Sequence, residues 1–331
     1  MYLLSHAMSL SNVLVNVVGI HLPKESLWDL RDKFYSRGES KSNSWHDFKG
    51  TVSKYTKLML CSLLFIAPMN AQQETSAINE KQKFSKAIED NSYFIEEAYN
   101  QETGVVQHIS NGLYFTKPQT DFNYSFTQEW PLGGQTHQFS FTLPYSFLNA
   151  NAVNGFGDVF INYRYQLSTS DDWAACSPRL SFIIASGDEK KGFGEGANGI
   201  QVNVPLSKRL TDAFVVHCNA GATTLFNKKG TDGSGIEVKK TTMAYNVGGS
   251  VIWLTKKSFN VMLEALLLYG QDFTSNGELE FSSETIVSPG VRYAIDIGEL
   301  QIVPGIAVPV NITKTQTRFG TFFYLSFEHP F

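Results

Sequence analysis

From residue 103 to the end of the chain, apolar side chains recur at every second position, in runs cut by Gly, Pro, Asn and Asp. A period of two is the mark of a strand with one apolar face, because successive side chains point to opposite sides. About twelve such runs can be marked, near 104–116, 121–131, 135–144, 155–167, 177–187, 198–206, 211–225, 240–254, 258–270, 279–294, 299–310 and 320–331. The clearest apolar faces are Phe122/Tyr124/Phe126/Trp130, Phe139/Phe141/Leu143 and Val159/Ile161/Tyr163/Tyr165. Later come Ile200/Val202/Val204, Tyr245/Val247/Val251/Trp253 and Phe259/Val261/Leu263/Leu267/Tyr269. The last run, GTFFYLSFEHPF, keeps its aromatic ladder to the terminal Phe331. The end of a chain is usually frayed and wet, so such a ladder suits a strand paired on both edges and covered by lipid.

The links between runs sort by parity. With the N-terminus on the periplasmic side, one set is short: 132–134, 207–212, 255–258 and 296–299, with 167–176 the long exception. The other set, 186–198, 226–240, 271–278 and 311–319, is mostly longer, charged and rich in Gly. Short turns on one side and longer loops on the other, over an even number of strands, is the pattern of an outer-membrane barrel. A soluble sandwich has no reason to sort its loops this way. The expected fold is all-β: a transmembrane antiparallel up-and-down β-barrel of about twelve strands over residues 103–331.

The second face of each run then becomes the lumen. It carries Glu129, Asp158, Asn162, Arg164, Arg179, His217, Glu264, Arg292 and Glu328, among other polar residues. Charges of both signs can cross-link such an interior through ion pairs or line a weakly selective aqueous path. On the closing strand Phe323, Leu325, Phe327 and Phe331 are expected to face lipid, and Tyr324, Ser326 and Glu328 the lumen. That strand should pair with the first one, bringing Glu328 onto the same inner wall as His108.

Composition agrees with this class. The chain is 13% aromatic, with 25 Phe and 14 Tyr, and only 18% charged. Its mean hydropathy is -0.16, and it lacks an apolar run of about 18 residues, which disfavours helical membrane spans. A net charge of -4, with no basic cluster interleaved with aromatics, argues against nucleic acid as a partner. Of three cysteines, Cys61 falls in a leader and Cys176 and Cys218 remain, too few for a disulfide framework.

The front of the chain divides by composition. Lys54–Lys57 precede the apolar stretch 58–69 and the small-residue junction Ala71–Gln72, so residues 52–71 read as a cleaved signal peptide. Residues 1–50 stand ahead of it; the simplest reading is a start assigned too early, with initiation near Val52, and a leader using 1–20 is the alternative. Residues 72–102 are polar and read as a periplasmic lead-in, with a plain tail preferred to a cap or plug of the pore.

GFGDVFINYRYQL (155–167), SPRLSFIIASGD (177–188) and GANGIQVNVPLSKRL (196–210) resemble the outer-membrane barrels labelled "meta-pathway of phenol degradation", often called transporters. IEEAYNQETGVVQHI (95–109) is similar to their Bacteroidetes members. The likeness covers residues 90–331 and implies an outer-membrane location and passage of small molecules, aromatic ones included. The ending, with Phe323, Leu325, Phe327 and Phe331, resembles the C-terminal assembly signal of bacterial outer-membrane proteins, which implies outer-membrane lipid and the barrel assembly machinery as partners.

One constellation could carry chemistry. His108-Ile109-Ser110-Asn111-Gly112 resembles the catalytic strand of outer-membrane phospholipase A and lipid A deacylase, in which a His activates a Ser two residues on. Such a pair shares one strand face, as base and nucleophile must, and Asn123 or Asp121 on the next strand could be the third member. Against this, Val105, Ile109, Leu113 and Phe115 read as the apolar face, which turns His108 and Ser110 into the lumen rather than towards lipid. No His, Cys or carboxylate cluster has metal-ligand spacing. The sequence reading is thus a passive channel with no cofactor and no metal. A lipid hydrolase, or a closed or surface-binding barrel using loops 186–198 and 226–240, is the alternative.

Overall fold

The computed structural model describes residues 92–116, 120–148 and 152–331. Residues 1–50, the expected signal peptide at 52–71 and the lead-in up to residue 91 lie outside them. Twelve staves follow one another round a closed sheet. They are β1 (Val105–Phe115), β2 (Asp121–Pro131), β3 (His137–Leu148) and β4, which is broken into Val153–Phe156 and Val159–Tyr165. Next come β5 (Ala175–Cys176 and Arg179–Ile184), β6 (Gly199–Arg209), β7 (Phe214–Thr231) and β8 (Glu237–Lys256). The circuit ends with β9 (Phe259–Phe273), β10 (Leu279–Tyr293), β11 (Leu300–Ala307 and Val310–Ile312) and β12 (Thr317–Pro330). Each is antiparallel to its neighbours. Closure is made by β12 on β1, in unbroken register from Val105 opposite Pro330 to Phe115 opposite Gly320. A closed sheet leaves no unpaired edge, which is what a strand protein in hydrocarbon requires.

Alternation places the two faces. Outward stand Val202, Val204, Val247, Val251, Leu263, Leu267 and Phe323, all exposed. Soluble monomers rarely expose so continuous an apolar surface, whereas a barrel in lipid must. Aromatics flank that belt at both rims. Phe214 stacks on Trp253 near the rim that holds both ends of the barrel chain (the terminal rim), and Tyr269 stacks on Phe281 towards the opposite one. Inward stand Asn123, Ser125, Asn162, Arg179, Gln201, Asn203, His217 and Glu264, all buried.

Two expectations fail here. The first concerns β1, whose faces are the reverse of those read from its apolar residues. Gln107, Asn111, Leu113 and Phe115 are buried within the barrel, and His108 and Ser110 lie on the opposite, outer side, where His108 stacks over the outward Phe126. Leu113 and Phe115 face inward because the interior at this wall is itself apolar: they join one cluster with Phe322, Leu266, Leu268 and Ile286. Glu328 accordingly meets Gln107, whose Nε2 donates to it at 2.6 Å, and not His108. The second concerns 226–240, which is not a long loop. β7 and β8 continue through it as a ladder, Thr231 opposite Glu237, joined by a tight turn over 232–236. A ladder beyond the lipid needs no apolar face, so polar, Gly-rich residues can extend it.

Candidate functional site: an occupied lumen

Residues 92–101 run inside the barrel, where a periplasmic tail was expected. Tyr93, Phe94 and Ile95 are buried in the apolar cluster, with Phe94 4.8 Å and Tyr93 5.3 Å from the Phe322 ring, centre to centre. Tyr93 also lies 5.5 Å from the Tyr324 ring, and its hydroxyl donates to the Val291 carbonyl at 2.5 Å. Gly290 and Gly305 make the slot for this ring, since a Cβ at either would overlap it.

The segment has no strand partner, so its backbone donors must be met some other way. Inward side chains of the wall do this. Glu264 Oε1 accepts the backbone N–H groups of Tyr93, Phe94 and Ile95 at 2.9, 2.9 and 3.2 Å. Asn219 Oδ1 accepts from Glu96 at 2.7 Å, Ser207 Oγ from Ala98 at 2.7 Å, Gln166 Oε1 from Asn100 at 2.8 Å and Gln138 Oε1 from Gln101 at 2.6 Å. Seven backbone donors are thus satisfied by five side chains spread over β9, β7, β6 and β3 and the residue just past β4. The path leads from the middle of the barrel to the terminal rim, where Val105 begins β1.

Charge holds the same segment. Arg179 pairs with Glu96, with Nη2 to Oε1 at 2.5 Å and Nε bridging both carboxylate oxygens at 3.1 and 3.0 Å. Arg164 Nη1 pairs with Glu97 at 3.3 Å, and its Nη2 donates to the Glu97 carbonyl. The mixed-charge interior does cross-link, but through the inserted segment. Arg179 reaches the wall as well, donating to Gln201 Oε1 at 2.8 Å and to Asn162 Oδ1 at 3.3 Å.

The rim opposite the termini is built by the loop 185–198. Asp158 accepts the backbone N–H of Gly187 at 3.0 Å and of Glu195 at 2.7 Å, folding this loop inward, and the loop's own Phe193 is buried. Lys228 holds Glu195 at 2.6 Å and Asp272 at 3.0 Å. The remaining inward residues are placed simply. His217 Nδ1 lies 2.6 Å from Ser207 Oγ, Glu129 accepts from Gln138 Nε2 at 2.9 Å, and Arg292 is buried within the barrel. On the closing strand Tyr324 and Ser326 are buried inside, while Phe323 and Phe331 are exposed.

The candidate catalytic group is not brought together. His108 and Ser110 face outward, as a dyad acting on lipid would, but Asn123 is buried on the inner side. Ser110 Oγ sits 3.1 Å from Tyr124 Oη, and His108 Nε2 sits 3.2 Å from His329 Nε2. Base and nucleophile are each engaged with another partner, His108 with His329 and Ser110 with Tyr124. Missed from sequence were Gln138, Gln166, Ser207 and Asn219, the backbone acceptors. The visible signal was that Arg164 and Arg179 stand inward on adjacent strands while Glu96 and Glu97 sit in the lead-in.

No protein-family model matches the chain, and no curated protein matches it in sequence. Solved structures do. An outer-membrane channel from Pseudomonas putida F1 superposes with a TM-score of 0.52 at 10% identity, covering 71% of this chain and 98% of that one. The NanC porin gives 0.44 at 12% identity, covering 68% of this chain and 100% of the porin. The CymD monoaromatic hydrocarbon channel gives 0.37 at 9% identity, covering 70% and 89%. At such identities the first of these carries the likeness, and what it shows is fold: this chain is a closed, outer-membrane-type β-barrel.

Proposed function

We propose that the protein is a passive channel of the bacterial outer membrane for small solutes, with passage governed by residues 92–101. The observation that carries this reading is a closed barrel with an apolar outer belt around an interior of polar and charged side chains. Polar side chains facing inward can line an aqueous path once the segment held by Arg164 and Arg179 moves aside. The terminal rim faces the periplasm and the loop 185–198 faces outside. Residues 52–71 direct export, outer-membrane lipid surrounds the belt, and the barrel assembly machinery reads the closing strand with Phe323, Leu325, Phe327 and Phe331.

The solute class follows from two supports. The sequence resembles barrels labelled for phenol degradation, of Bacteroidetes type, and one inner wall is apolar where Leu113, Phe115 and Phe322 gather. Together they favour small solutes with a hydrophobic or aromatic part, which would meet that wall once Tyr93, Phe94 and Ile95 leave it, carried without cofactor or covalent chemistry. Proteoliposomes should swell faster than protein-free vesicles in isosmotic arabinose or sodium benzoate, with benzoate the better of the two. Swelling no faster than in empty vesicles, for both solutes, would sink the channel reading.

A further inference from the structure

At the seam where β1 meets β12, two histidines stand together on the outer face. Val106 lies opposite His329 and His108 opposite Phe327, so His108 and His329 are diagonal neighbours on one side of the sheet. Their Nε2 atoms are 3.2 Å apart, with ring centres at 5.3 Å and planes inclined by 23°. His329 Nδ1 lies 2.8 Å from the Pro330 carbonyl oxygen. A carbonyl only accepts, so Nδ1 carries the proton and Nε2 presents its lone pair. A backbone carbonyl on the other ring nitrogen is also the usual support of a metal-bound histidine.

Two imidazole nitrogens bound to one tetrahedral ion at about 2.0–2.1 Å lie roughly 3.3–3.4 Å from each other. The observed 3.2 Å fits that bite: in the free protein His108 Nε2–H donates across it to His329 Nε2, and an ion takes that place as His108 moves its proton to Nδ1. We propose that His108 and His329 form a two-ligand site for a divalent transition metal of the zinc, nickel and copper group. Imidazole suits these ions, whereas magnesium and calcium prefer oxygen ligands. The other outward histidine among the described residues, His137, is turned to the Tyr163 hydroxyl at 2.6 Å. Among the described residues no group of three or more His, Cys, Asp or Glu is arranged for a metal. The site is therefore open, with its other positions left for water or lipid phosphate, and its affinity is that of a chelate rather than a structural centre. An ion there ties the first strand to the last at the edge where the barrel closes. It stabilises the closed form by mass action, because the unpaired strands hold no such pair.

The test uses the full chain, purified without a polyhistidine tag. Titration with Ni²⁺ should give one ion per chain and raise the temperature at which the folded gel band is lost, while Mg²⁺ does neither. His108→Ala and His329→Ala should each weaken binding by about 10-fold or more, since even the loss of supporting contacts costs a metal site 10–100-fold. Both variants should keep the heat-modifiable mobility of a folded barrel. Should either fail to fold, the wild type still decides: Cu²⁺ bound to it should show superhyperfine coupling to two imidazole nitrogens. Equal binding by wild type and folded variants, or a copper spectrum lacking the nitrogen pair, would overturn the assignment.

Discussion

Glu264→Ala is expected to release residues 92–101 from the barrel wall and to speed solute entry through an otherwise intact barrel. One carboxylate oxygen accepts three successive backbone donors in the middle of the lumen. The net contribution of a hydrogen bond is about 1 kcal/mol, so losing all three costs about 3 kcal/mol. Since about 1.4 kcal/mol is tenfold, the docked segment should lose roughly 100-fold in population relative to the free one. Protease added to proteoliposomes reads this as faster cleavage between residues 92 and 102. Glu264→Gln keeps an accepting oxygen and should fall between alanine and wild type. If alanine and wild type are cleaved at the same rate, Glu264 is not what holds the segment.

Leu267→Arg is expected to be the most damaging single change on the outer face. Leu267 is exposed near the middle of β9, opposite Val247 of β8, itself exposed. Arginine on the lipid face at mid-depth costs about 2–4 kcal/mol, falling to about 0–1 near the interfaces. Tyr269→Arg, two residues nearer the rim on the same face, should therefore cost less. Denaturant unfolding in lipid vesicles measures both. Equal costs, or none, would mean that this face does not meet hydrocarbon.

Residues fail to announce their side when both faces of a strand are apolar. On β2, β8 and β9 the alternation is legible because Tyr124, Val247 and Leu263 stand outward against inward Asn123, Asn246 and Glu264. β1 offers no such contrast. Its inward Leu113 and Phe115 pack with Phe94 and Phe322, so the rule that apolar means outward fails where the inserted segment needs an apolar bed. That single inversion misplaced His108 and Ser110, and with them the expected contact to Glu328.

The inserted segment was hidden for a related reason. Its donors go to side chains such as Gln138, Ser207 and Asn219, and side-chain acceptors leave no periodic trace in a sequence. Only the charges pointed to it, through two inward arginines on neighbouring strands and the Glu96–Glu97 pair. The misread stretch 226–240 shows the opposite limit. Lys228, Lys229, Gly230 and Asp232 look like a loop, but a ladder above the membrane is free to be polar on both faces.

Residues 92–101 are proposed to control an aqueous path, and single-channel recording in planar bilayers tests that most directly. The wild type would be compared with a variant in which residues 1–71 are joined directly to Glu102, leaving the strands untouched. Small or brief currents from the wild type and larger, steady steps from the variant are predicted. Equal conductance from the two, or silence from both folded proteins, would contradict it.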